Sequence, residues 1–150
     1  MTKTILYAIM NVQMSEHLPQ KTEKQTPQEF IAAIEEIDAP LVHAVMFNFH
    51  EEASPEQVAK AIRMCRALRE LPGVLAWTVQ ESLDNRKGRT ALELGVFENG
   101  KAFLNFRNDP THQEFANYVR DHADWNIVDF PATQSSTETV KLLDDKTKPE

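Results

Sequence analysis

From Ala91 to Phe97 the chain reads Ala-Leu-Glu-Leu-Gly-Val-Phe. Side chains alternate along a strand, so an extended run here has two nonpolar faces. Leu92, Leu94 and Val96 fall on one side. Ala91, Gly95 and Phe97 fall on the other, with Glu93 as its exception. A sheet with two such faces needs two covers. Helices of the same chain can supply one. A second copy's sheet is the simplest source of the other, which predicts a homodimer about a two-fold axis.

The rest of the sequence supplies those helices. Leu41 to Phe49 alternates as a strand, with His43, Val45, Phe47 and Phe49 on one face. Ser54-Pro55-Glu56-Gln57 is a capping box, and Val58, Ala61, Ile62, Cys65, Leu68 and Leu71 then recur at helical spacing until Pro72-Gly73 stops the helix. Val74 to Ser82 predicts a second strand, Asp84 to Arg89 a hairpin connection, and Ala91 to Phe97 a third strand. Two helical pieces follow, about Gly100 to Phe106 and Pro110 to His122, separated by Asp109 as cap and Pro110 as first-turn residue. Trp125 to Phe130 closes as a short strand. The order β-α-β-β-α-α-β predicts an α+β fold of ferredoxin-like, split βαβ type with its second helix broken in two.

Three segments are expected. Residues 1–39 form an N-terminal extension of short strand (Ile5 to Met14), linker and helix, the helix opened by the capping box at Thr26. Residues 40–131 form the barrel domain. Residues 132–150, rich in Ser, Thr, Lys and Asp, read as a flexible polar tail in which Val140, Leu142 and Leu143 dock weakly at most.

Composition excludes several functions. A net charge of -7 and a pI of about 5.2 disfavour nucleic acid and anionic membrane surfaces as partners. One cysteine rules out an internal disulfide and a zinc-type cluster. The apolar run at the N-terminus is too short to span a bilayer and lacks a cleavage-site pattern, so a cytoplasmic location is expected. With four glycines and no Gly-rich phosphate loop, nucleotide binding is not indicated, and no cofactor is expected. His50, Glu51 and Glu52 lack the spacing of a metal site and read as a solvated turn.

Four segments together resemble a known family. Val42 to Phe49, Leu68-Arg69-Glu70-Leu71-Pro72-Gly73-Val74, Asn108-Asp109-Pro110-Thr111-His112 and Ile127-Val128-Asp129-Phe130 are similar, in order and spacing, to segments of the stress-responsive A/B barrel (Dabb) proteins. The proline-histidine turn favours this family over the antibiotic-biosynthesis monooxygenases. The resemblance implies a dimeric α/β barrel. The family includes plant stress-induced proteins and a plant polyketide cyclase that closes a ring without a cofactor. The cyclase matches this chain at His112 and His43. Its tyrosine in the preceding helix is matched by Phe106, a further histidine by Ala91, and a pocket tyrosine by Cys65, departures that argue against the same cyclisation.

The candidate catalytic residues are His112, His43 and Glu93. His112 falls in the first turn of a helix, where the dipole favours a neutral imidazole suited to act as a base. His43 shares a strand face with Val45 and Phe47 and needs a partner if buried; the bland reading is a satisfied core histidine. Glu93 would point into a cavity between sheet and helices, unless strand twist carries it to solvent, Arg89 or Lys101, which is the ordinary outcome for a carboxylate. Asp129, on the last strand, reads as a structural residue that bonds a neighbouring backbone or an imidazole, Trp77 and Trp125 as packing residues or dimer contacts, and Cys65 as inert core. The functional expectation is a homodimeric small-ligand-binding or stress-related protein with a small hydrophobic ligand. The alternative is a cofactor-independent acid–base enzyme, cyclase-like or isomerase-like, that acts on a small hydrophobic carbonyl compound using His112, oriented by His43 or Glu93.

Overall fold

A computed structural model describes residues 23–144. The expected strand at Ile5 to Met14 lies outside the described residues. Helix α1 (Pro27–Glu35) begins at Thr26, whose side chain accepts from the Glu29 amide while Glu29 returns a bond to the Thr26 amide. Strand β1 (Leu41–Phe49), helix α2 (Pro55–Ala67) with a short 3-10 turn (Leu68–Glu70), strands β2 (Val74–Glu81) and β3 (Thr90–Phe97), helices α3 (Gly100–Asn108) and α4 (Pro110–Arg120), and strand β4 (Ala123–Pro131) follow. The break between α3 and α4 falls at Asp109, which caps α4 through the Thr111 amide.

The four strands form one antiparallel sheet in the order β2-β3-β1-β4. Its inner face, carrying Val45, Phe47, Trp77, Val79, Ala91 and Phe97, packs on α2, α3 and α4 through Val58, Ile62, Cys65, Phe103, Phe106, Phe115 and Val119. The α+β, ferredoxin-like architecture is the one expected. Two glycines are required by close approach. A Cβ at Gly95 would lie 2.7 Å from the Trp77 ring, and one at Gly100 would lie 1.8 Å from the Ile34 carbonyl oxygen of α1. Among the described residues no helix is long and apolar enough to cross a membrane.

The outer sheet face corrects one expectation. Where polar composition reads as a flexible tail, the chain forms helix α5 (Gln134–Leu143), which lies on this face. Thr133 and Ser136 make a capping box, and Val140 packs against Val42, Ala76 and Val96. Beyond the helix, the Asp144 carboxylate accepts the backbone N–H of Trp77, on edge strand β2. One well-placed valine, the capping box and the Asp144 bond to β2 suffice because the sheet surface beneath is already apolar. The helix therefore supplies part of the second cover that the sequence assigns wholly to another subunit. Met46, Leu92, Val128 and Phe130 remain exposed on the same face.

Candidate functional site

Inside the sheet–helix sandwich a cavity of about 280 Å³ opens beside α4. His43, Val45 and Phe47 of β1 and Glu93 of β3 supply one wall. Arg107 at the end of α3, and His112, Gln113, Phe115, Ala116, Val119 and Arg120 of α4, supply the opposite one. Trp125 and Ile127 of β4 complete it. Strand β4 is an edge, and its inner-facing Trp125 and Ile127 are 37% and 50% exposed, so the cavity is open to solvent on this side.

Strand register explains the polar floor. His43 pairs with Gly95 on one side and Asp129 on the other, while Glu93 pairs with Val45, two residues along on the same face. His43 Nδ1 lies 2.5 Å from Asp129 Oδ1, and Nε2 lies 3.3 Å from Glu93 Oε1. Burial alone would lower the affinity of His43 for a proton. The bonds and charges of Asp129 and Glu93 outweigh it and push the imidazole up to about 9. The ring is thus a cation at neutral pH, and both of its N–H groups donate to carboxylates. Phe97 and Phe103 pack around it, with the Phe103 ring centroid 4.8 Å away.

Glu93 is 2% exposed, so the ordinary expectation of a solvated carboxylate, or one reaching Arg89 or Lys101, is overturned. Its other oxygen, Oε2, accepts from Cys65 Sγ at 3.1 Å. Burial and the neighbouring Glu93 charge push the Cys65 thiol well up, which keeps it a protonated donor rather than a nucleophile. Asp129, read from sequence as structural, is the second partner of His43. The signal available was its place in the closing strand, but only the pairing of β4 with β1 brings it opposite His43.

His112 is the third residue of α4, as the Asp109-Pro110 signal requires. Its Nδ1 lies 3.1 Å from the Arg107 carbonyl oxygen. A carbonyl can only accept, so Nδ1 carries the proton and Nε2 the lone pair. Burial holds the ring below the ordinary histidine value, against the raising effects of the Glu93 charge and the Arg107 carbonyl. One cavity therefore holds a cationic histidine and a neutral one. Environments that drive two titratable groups apart in this way are how acid and base roles are divided in enzyme sites. Among the described residues no group of three or more His, Cys, Asp or Glu is placed to hold a metal ion.

The family model for the stress responsive A/B barrel domain matches residues 41–132. Among curated proteins none matches the sequence. Several solved structures share the fold. A dimeric ferredoxin-like protein of unknown function from Thermobifida fusca is 15% identical with a TM-score of 0.57, covering 63% of this chain and 92% of its own. The hydroxynitrile lyase from Passiflora edulis is 22% identical with a TM-score of 0.54, covering 63% and 94%. SnoaB, a cofactor-independent oxygenase from Streptomyces nogalater, is 16% identical with a TM-score of 0.52, covering 64% and 95%.

Proposed function

The chain belongs to the stress-responsive A/B barrel domain family, and we propose that it is a cofactor-independent acid–base enzyme acting on a small, largely apolar carbonyl compound. The observation that supports this most is the pairing, in one solvent-open cavity, of a neutral His112 with a buried carboxylate, Glu93. A sealed core beneath His112 would have favoured a purely structural histidine. In this reading His112 Nε2 takes a proton from the bound compound. Glu93 faces the same space, held by the His43 N–H and the Cys65 thiol. His43 has no N–H left for a substrate, so it acts through Glu93 as a positioning residue. Apolar walls at Val45, Phe47, Phe115 and Ile127 would bind the body of the compound.

Two results test this. NMR titration should place the His112 pKa below about 6.5. Incorporation of solvent deuterium beside the carbonyl of small aryl and alkyl carbonyl compounds, with and without a hydroxyl, should fall about 100-fold or more in His112→Gln, with the fold retained. A His112 pKa above the ordinary value, or exchange indifferent to the substitution, would overturn the reading. The second reading, a non-catalytic ligand-binding domain, draws on Phe106. Its ring centroid is 4.8 Å from that of His112, at the position where the resemblance to the plant cyclase implies a tyrosine hydroxyl.

A homodimer through the outer sheet face belongs to the same proposal. Met46, Leu92, Val128 and Phe130 are exposed there beside the area taken by α5, and the Thermobifida fusca protein is described as dimeric. Sedimentation at micromolar concentration should give twice the 17.1 kDa chain mass; a monomer there refutes the dimer.

A further inference from the structure

We infer that the oxygen entering deepest into this cavity is a hydroxyl that donates, so that the ligand is an apolar hydroxy-carbonyl compound rather than a simple aldehyde or ketone. The inference rests on reading His112 and Glu93 as groups that face a ligand.

The inventory of hydrogen-bonding atoms carries it. Nδ1 of His112 is spent on the Arg107 carbonyl, which leaves Nε2 as an acceptor. Glu93 is a carboxylate whose two oxygens are acceptors. The buried donors nearby are committed elsewhere. Both His43 nitrogens face carboxylates, the Cys65 thiol serves Glu93, and the Trp77 indole N–H donates to the Cys65 carbonyl at 3.0 Å. The Gln113 amide donates one of its two N–H groups to the Arg107 carbonyl at 2.5 Å. Around Glu93 and His112 the cavity thus offers lone pairs; among the described residues the lining donors left are on exposed or half-exposed side chains, namely the Arg107 guanidinium, 5.0 Å over the Phe30 ring, the Trp125 indole, the second Gln113 N–H and Arg120.

A carbonyl oxygen placed there would set its lone pairs against those of Glu93 and His112. A hydroxyl would instead donate to His112 Nε2, or to a remaining lone pair of Glu93, whose two oxygens already accept from His43 and Cys65. One charged donor is at the mouth. Arg120 lines the cavity, is exposed, and donates to Asn117 Oδ1; among the described residues it has no ion-pair partner. The polarity of the site therefore runs from acceptors inside to a donor outside. A ligand that fits it leads with its hydroxyl and turns its carbonyl toward the rim, with the C–H beside that carbonyl within reach of His112 Nε2. A site built to hydrogen-bond a hydroxyl discriminates strongly against the analogue that lacks it.

The test uses the full chain and two neutral probes, 4-(hydroxymethyl)benzaldehyde and its methyl ether, titrated at pH 7 while the His112 ring signals are followed by NMR. The alcohol is expected to shift those signals and to bind about tenfold or more tightly than the ether, a difference of ~1.4 kcal/mol. Equal binding of the two, with the His112 signals moved by both, overturns the hydroxyl inference and leaves the acid–base reading standing. If neither probe nor unsubstituted benzaldehyde moves the His112 signals, the reading of the cavity as a ligand site fails, and this inference falls with it.

Discussion

Raising the pH from about 6.5 to about 9 should cost the protein roughly 3 kcal/mol of stability, through His43 alone. Unfolded, this imidazole titrates near the ordinary 6.5; folded, it is held to about 9. Below pH 6.5 both forms carry the proton and the stabilisation is complete. Above it the unfolded chain releases the proton while the folded chain keeps it, so each pH step favours unfolding until the folded ring titrates too. His112 works in the opposite direction. Burial lowers its folded value, so acidification below about 6.5 protonates the unfolded chain first and again favours unfolding. The two histidines together place the stability maximum near pH 6.5. Urea unfolding across pH 5–10 measures this. His112→Gln should flatten the acid limb and leave the alkaline limb in place. A stability that stays level between pH 6.5 and 9 would show that Asp129 and Glu93 do not hold the His43 proton.

What the sequence made legible is what local patterning encodes. The alternation in β1 and β3 placed His43 and Glu93 on the face that meets the helices, and Leu92 and Leu94 on the other. Asp109-Pro110 located the start of α4 and therefore the first-turn position of His112. The partners of those residues were not legible, because they are set by strand order. Cys65 lies 28 positions from Glu93, and Asp129 lies 86 from His43. Composition gives no way to choose between a buried Glu93 with two donors and a solvated one near Arg89. The same gap hides the division of roles between the histidines. From sequence His43 is a candidate catalytic residue, whereas in the structure both of its ring nitrogens face carboxylates, which under the proposed reading makes it a positioning residue.

Helix α5 was missed for a different reason, and its removal is the second large effect to expect. Polar composition argues for disorder when a segment must bury its own apolar surface to offset ordering, at about 1–2 kcal/mol per residue. Here the apolar surface belongs to the sheet. Val42, Ala76 and Val96 are at most 2% exposed, and Val140 is 5% exposed against them. Burying one valine contributes about 1.5–3 kcal/mol, and the sheet residues it covers add to that. The Thr133–Ser136 capping box contributes about 1 kcal/mol, and the helix's own ordering cost offsets part of the sum. Truncation after residue 132 should therefore lower stability by about 2–4 kcal/mol and the thermal midpoint by on the order of 10 °C. It should also enlarge the exposed apolar patch around Met46 and Leu92, and so increase self-association in sedimentation. Two point variants separate packing from mere chain length. Val140→Ser should reproduce most of the loss, whereas Leu142→Ser, at a side chain 84% exposed, should stay within about 0.5 kcal/mol of the parent. A truncated chain that melts with the parent would mean that α5 rests on the sheet without stabilising it, and that the outer face must find its cover from another molecule.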